Sequence, residues 1–219
     1  MNPEDQIILI DKPAGISSFG VVAKVRARLR DEFGHKIKVG HTGTLDPFAT
    51  GLLILLSGKM TKKSNEFLKK DKVYEATLKL GFTSTTGDPE GELEKIGDII
   101  PDNSQIKNAI NSFIGTIEQT PPKFSTIKIN GERAYKLARA GKDFETPTRK
   151  VTIYNIETLN YNYPELKICC HVSSGTYIRT LAEDIGKKLG TGAYLIALRR
   201  TKIADYSVDD ARPLSDFTN

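Results

Sequence analysis

The spacing of hydrophobic residues changes several times along the chain, and each change marks an element. QIILIDKP is a short apolar run closed by Pro13 and Gly15, and it predicts a first strand. Ser17 and Ser18 then offer an N-cap. Val21, Val22, Val25 and Leu29 follow at helical spacing, with Lys24, Arg28 and Arg30 opposite, so a helix is predicted near 18–30. GLLILLSG, from Gly51, is unbroken hydrocarbon and predicts a fully buried strand. KVYEATLKLG alternates, with Val73, Glu75, Thr77 and Lys79 on one face and Tyr74, Ala76, Leu78 and Leu80 on the inward one.

Residues 83–101 are rich in Thr, Gly, Asp and Pro and predict a long loop. Asn103 or Ser104 is the expected cap of a short helix with Ile106, Ile110, Phe113 and Ile114 inward and Gly115 as its stop. TIEQTPPKFSTIKING is expected to return to the sheet around its double proline. ERAYKLARAG predicts a short basic helix closed by Gly141, and RKVTIYNIETLNY and LKICCHVSS predict two further strands. SGTYIRTLAEDIGKKLG predicts a strong helix with Ile178, Leu181, Ala182, Ile185 and Leu189 on one face. Strand pairs mixed with segregated helices predict an α+β fold rather than alternating βαβ units.

Composition narrows the class. A chain of 219 residues, 38% hydrophobic and 27% charged, buries a sizeable core as one large domain or as a domain with an insertion. No apolar run approaches the roughly 20 residues needed to cross a bilayer, and the acidic, polar start does not have the pattern of a signal peptide. Cys169 and Cys170 are neighbours, so on a strand they point to opposite faces and do not form a CxxC pair; a reducing cytoplasm is expected. His35, His41 and His171 are scattered, and no metal is expected.

Charge is more telling. From Lys123 to Lys150 there are eight Lys/Arg against three acids, a net +5 that equals the excess of the whole chain. Such a patch suits a phosphate backbone, although a solvated helix-and-loop excursion has the same composition.

Candidate chemistry begins in GHTGTLDPFATGLL. Pro47 pushes Asp46 toward an extended conformation, Gly43 and Gly51 permit tight turns or close approach, and the strand beyond anchors the loop. Asp-Pro is also an ordinary turn starter. Arg179 sits in the first turn of its helix, where the dipole disfavours a cation; a nearby carboxylate would remove the penalty, with Asp46 one possible partner, and an exposed arginine reaching solvent is the alternative. Tyr74, His41 and Asp88, taken singly, also have structural readings: core, local bonding and turn.

Together these segments resemble the TruB-type pseudouridine synthases, which isomerise the T-loop uridine of tRNA. The resemblance rests on GHTGTLDPFATGLL with DKPAGISS, KVYEATLKLGFTSTTGDPEG, QTPPKFSTIKINGERAYKLARAG and SSGTYIRTLAEDIGKKLGTGAYLIALRRT, in that order from about Ile8 to Ser207. It implies a pseudouridine-synthase fold, a mixed and mostly antiparallel sheet flanked by helices. Asp46 would be the nucleophile, Tyr74 the active-site tyrosine against the target base, and Arg179 the arginine that pairs with the aspartate. His41, Tyr177 and Leu198 match substrate-contacting positions, and Asp88 a family acid near the flipped nucleotides. The basic segment, 123–151, matches an RNA-clasping thumb in which Lys128, Arg133, Arg139, Arg149 and Lys150 would meet the RNA backbone. Lys12, in the DKP motif, is either a further backbone contact or structural.

The resemblance implies no metal and no cofactor. The expected partner is the T-arm stem-loop of tRNA, bound by a cytoplasmic monomer without membrane or guide RNA. Most members of the family continue past LRRT into a PUA-type RNA-binding domain. Here VDDARPLSDFTN is too short for one; either the chain is a minimal member or it is truncated, and 1–219 is expected to be a single catalytic domain. The rivals are the guide-dependent dyskerin-like branch, a non-catalytic RNA chaperone, and an aspartate glycosidase, for which the loop supplies no evident second carboxylate.

Overall fold

The computed structural model describes residues 2–218. In chain order the elements are β1 (Ile7–Lys12), α1 (Ser18–Phe33), β2 (Val39–His41), β3 (Thr50–Ser57), α2 (Ser64–Leu68), β4 (Lys72–Leu80), β5 (Phe82–Ser84), β6 (Leu93–Lys95) and α3 (Asn103–Asn111). They continue with β7 (Gly115–Gln119), β8 (Lys128–Ile129), β9 (Glu132–Arg133), α4 (Ala134–Arg139), β10 (Arg149–Asn162), β11 (Glu165–Val172), α5 (Ile178–Leu189), β12 (Ala193–Ile203), β13 (Tyr206–Ser207) and β14 (Arg212–Pro213). The fold is α+β, as the mixture of periods predicts. The chain divides into two compact units, one running to Tyr74 and resuming at Leu198, the other spanning Glu75–Ala197.

In the first unit the strand order is β14-β1-β3-β12. β1 runs antiparallel to β3, from Ile7 opposite Leu56 to Lys12 opposite Gly51. The end of β12 runs parallel to β3, with Arg200 opposite Gly51. Leu52, Ile54 and Leu56 pack with Phe67, Ile203 and Val208, while Leu53 and Leu55 are equally buried on the other face. Covering both faces explains why this strand reads as unbroken hydrocarbon instead of alternating. α1 starts at the expected Ser17 cap, buries Val21, Val22, Val25 and Leu29, and runs to Phe33, where Gly34 closes it in the left-handed conformation.

In the second unit β10 pairs antiparallel with β11 on one side and β7 on the other. β11 alternates in burial, with Cys170 buried and Cys169 partly exposed, as neighbouring strand residues must be. The stretch 83–101 is not all loop: Phe82 opposite Lys95 and Ser84 opposite Leu93 close a small β5–β6 hairpin. The cap of α3 is Asp102, one residue before the expected position. Its carboxylate accepts from Gln105 N at 2.8 Å and Gln105 Oε1 accepts from Asp102 N at 2.8 Å, a reciprocal box that neither Asn103 nor Ser104 completes. The helix ends at Asn111 with Ser112 as its C-cap, so Phe113 and Ile114 fall outside its buried face, and Ile114 is exposed.

α5 buries Ile178, Leu181, Ala182 and Ile185. Gly186, inside this helix, runs against ordinary helix propensity. A Cβ there would lie 2.6 Å from Ala193 Cβ, and the Gly186 carbonyl accepts from Thr191 N and Gly192 N at 3.0 and 3.1 Å. The glycine lets the turn into β12 fold back against the helix. Gly186→Ala is therefore expected to destabilise the protein by ~1–3 kcal/mol in urea unfolding, although alanine is the better helix former.

Candidate active site

The loop carrying Asp46 is pinned at almost every residue. Thr42 N donates to Ile54 O at 3.0 Å. Ser18 Oγ accepts from Leu45 N at 2.8 Å and donates to Leu45 O at 2.9 Å, tying the loop to the first turn of α1. Pro47 O accepts from Gly15 N at 2.9 Å, and Asp46 O from Ala49 N at 3.1 Å. The Asp46 side chain, half-buried, thus projects from a segment whose backbone bonds are made elsewhere.

Two buried cations complete the clamp. Arg200 is 1% exposed; its Nε donates to Leu52 O at 2.8 Å and its guanidinium nitrogens to Gly43 O at 3.0 Å and Thr44 O at 3.5 Å. Gly51 accommodates it: with φ of +100° and its Cα facing Arg200, any Cβ would lie 2.8 Å from Arg200 N. Lys12 is 0% exposed, and its Nζ donates to Pro13 O and Ile16 O at 2.8 Å and to Pro47 O at 3.2 Å. Three main-chain carbonyls thus take the donors of this ammonium, the bonding that the structural alternative for Lys12 calls for. Burial, opposed by the charge of Asp46 and reinforced by Arg200, pushes its pKa down to about 8.

His41 is half-buried, and burial with the Arg200 charge holds its pKa below the usual imidazole value. Its Nδ1 accepts from Gly43 N at 3.4 Å, which requires the neutral ring. Tyr74 lies on the inward face of β4, 8% exposed, and Leu198 is 7% exposed.

In the second unit Arg179 is 4% exposed at the second position of α5, a helix with no acid in its first turn. The arginine does not reach solvent, and a carboxylate stands beside it. Asp88 Oδ2 lies 3.2 Å from Arg179 Nη1, which also donates to Thr86 O at 2.9 Å, while Nη2 donates to Phe124 O at 2.7 Å. Asp88 is itself held by Thr86 Oγ1 at 2.5 Å and Glu90 N at 3.1 Å, so the acid read as a turn residue also anchors the arginine. Asp46 belongs to the first unit and Arg179 to the second. Tyr177, preceding Arg179's turn, is gripped by a side-chain amide: Gln119 Oε1 accepts from Tyr177 N at 2.7 Å and Gln119 Nε2 donates to Tyr177 O at 3.0 Å.

The basic segment folds as the β8–β9 hairpin, α4 and an irregular return into β10. Lys128, Arg133, Arg139 and Lys150 are exposed. Arg133 donates to the Thr126 carbonyl, and Arg139 lies 5.8 Å over the Tyr135 ring. Arg149 differs from them: half-buried, it stacks 5.1 Å over the Tyr177 ring and donates to its hydroxyl at 3.4 Å. Arg200 and Gln119 were not singled out in the sequence. Their partners are main-chain groups, which leave no mark in the residue pattern.

Residues 30–178 match the model of the TruB family pseudouridylate synthase N-terminal domain, and 179–219 that of the tRNA pseudouridylate synthase B C-terminal domain. The chain belongs to the TruB family of pseudouridylate synthases. It is 45% identical over 215 residues to tRNA pseudouridine synthase B of Aquifex aeolicus, covering 97% of this chain and 73% of that protein. It is 44% identical over 216 residues to the protein of the same name from Phocaeicola vulgatus, covering 98% and 92%. Among solved structures it is similar to a chain of a Cbf5-Nop10-Gar1 complex, with TM-score 0.75 and 29% identity over 97% of this chain and 53% of that one. A second is an H/ACA RNP bound to a substrate RNA containing 2'-deoxyuridine, with TM-score 0.70 and 26% identity over 99% and 58%. The chain thus spans a little over half of those solved chains. No helix among the described residues is long and apolar enough to cross a membrane.

Removing Asp88 leaves a buried guanidinium with a lost counter-charge, so Asp88→Ala is expected to destabilise by ~3 kcal/mol in urea unfolding. Lys12 gives a pH signature. With its folded pKa near 8 and the unfolded value at 10.5, the unfolded chain holds the extra proton between those pH values, so stability rises with pH through that window. Wild type should gain on Lys12→Met in unfolding free energy between about pH 8 and 10, with a constant difference below pH 7.

Proposed function

We propose that the protein converts a uridine in the T-loop of tRNA to pseudouridine, with Asp46 as nucleophile. The observation that carries this reading is the Asp46 loop itself: a carboxylate held on a backbone pinned on both sides of it, in a chain of the TruB family. The reaction breaks the C1′–N1 bond, rotates the uracil and joins it through C5, with the C5 proton released and a proton returned at N1. It is redox-neutral, and a carboxylate serves it as a covalent nucleophile.

The target base lies within a folded RNA loop, so it must be extruded before reaction. Tyr74 and Tyr177 provide faces for stacking, with Leu198 as an apolar contact. Neutral His41, unable to compete for phosphate as a cation, fills or props the space the base leaves. Arg179 pairs with Asp46 and keeps it ionised. Asp88 and the carbonyls of Thr86 and Phe124 hold that guanidinium in orientation, and Asp88 borders the flipped nucleotides. Lys128, Arg133, Arg139 and Lys150 meet the RNA backbone on the thumb. Arg149 reaches it through its stack on Tyr177.

The protein acts in the cytoplasm as a monomer and without a guide RNA. The relatives named tRNA pseudouridine synthase B, at 44–45% identity, favour this over the guided branch. With a T-arm stem-loop carrying 5-³H-uridine and no other RNA, wild type is expected to release tritium. Asp46→Asn should fall to background while binding the stem-loop as tightly as wild type. Undiminished release by Asp46→Asn removes the aspartate from the mechanism, and no release by wild type until guide RNA is added restores the guided reading.

A further inference from the structure

The cradle around Arg179 adjoins one group that the fold leaves unused. Ser125 is 4% exposed, and its hydroxyl has no hydrogen-bond partner among the described residues. Buried hydroxyls are almost always bonded, because an unmade bond forfeits the water that folding removed. The main chain at the same place is engaged. Ser125 O accepts from Tyr135 N at 3.0 Å, and the preceding carbonyl, of Phe124, accepts from Arg179 Nη2 at 2.7 Å. The side chain is therefore fixed next to the arginine's anchor while its own donor stays idle. Alanine would fill the same space without the desolvated hydroxyl, so the serine weakens the fold with no return inside it.

We propose that Ser125 is a substrate-contacting residue: its hydroxyl donates a hydrogen bond to an oxygen of the RNA when the extruded nucleotide is engaged beside Arg179 and Asp88. The proposal rests on the pseudouridine-synthase reading and adds a neutral contact to it. RNA presents base carbonyls and ribose and phosphate oxygens, all acceptors for such a donor. A neutral hydroxyl releases no counterions on binding, so its contribution stays nearly constant with salt, unlike that of the thumb cations.

The test compares wild type, Ser125→Ala and Ser125→Cys on the tritiated T-arm stem-loop at low and high salt, with thermal melting of each protein. Wild type should be active. Ser125→Ala should raise KM by about 2- to 12-fold, by the same factor at both salts, and melt at or above the wild-type temperature. Ser125→Cys, with a weaker donor, should fall between. Stem-loops with 4-thiouridine or a 2′-deoxy sugar at the target identify the acceptor as the oxygen whose loss makes Ser125→Ala harmless. A loss that persists with both, and with 2-thiouridine at the target, places the acceptor on the sugar-phosphate backbone. Unchanged kcat/KM in Ser125→Ala overturns the proposal, as does a variant that melts several degrees lower with full activity per folded molecule. A wild type inactive on the stem-loop with or without guide RNA removes the pseudouridine-synthase reading instead, and this contact with it.

Discussion

The guanidinium of Arg200 is the constraint on which the Asp46 loop depends. It enters from β12, where the Arg200 backbone lies against Gly51, the one residue of β3 that has no side chain, and takes the carbonyls of Gly43, Thr44 and Leu52. The Gly43 and Thr44 carbonyls lie in the loop outside any strand, and buried without a donor each of the three would be a desolvation cost. A planar group with donors in a fixed fork meets three acceptors in different directions at once, which no neutral side chain does. Lys12 repeats the solution on the other side with a point charge and three more carbonyls. The loop is thus held by two cations bound to dipoles, not by ion pairs alone, and the field they make favours an anion at Asp46.

Arg179 solves a different problem. It is a cation at the positive end of a helix, buried, and therefore doubly disfavoured. Asp88 and two carbonyls reverse that balance and fix the side chain in a single orientation. Preorganisation of this kind is what a charged group needs in order to act without rearranging during the reaction. The same turn that supplies Asp88 supplies Thr86 O, so a short polar stretch between two strands provides both contacts to Arg179.

How much of this was legible follows from where each signal lies. β4 has one covered face, so its alternation placed Tyr74 inward. β3 has two, and its apolar run said only that it was buried. Arg179 stood out because it broke a rule of its own helix, but the hold of Asp88 on it was not legible: Asp88 is remote in sequence, and nothing in a turn motif says which way it faces. Asp102 displaced the expected cap because the box needs an acceptor three residues before Gln105, and neighbouring polar residues look alike. Lys12 and Arg200 were least visible. Long cations are ordinarily at the surface, and a lysine bonded to three carbonyls has the same letter as one in water.

The register of β7 on β10 carries a consequence for change over evolutionary time. Gln119 lies directly opposite Arg149, so the basic excursion leaves and re-enters the sheet at adjacent rungs. The ladder itself brings the two ends together, and the entropic cost of lengthening the segment grows only logarithmically, about 0.6 kcal/mol per doubling. Within residues 120–148, the part beyond Phe124 and Ser125, which serve the Arg179 site, therefore behaves as an interchangeable cassette. That part can be shortened, recharged or replaced while Gln119 keeps its hold on Tyr177 from the last rung below and Phe124 keeps its hold on Arg179. RNA-gripping surface and base-handling surface can then diverge at different rates within one chain.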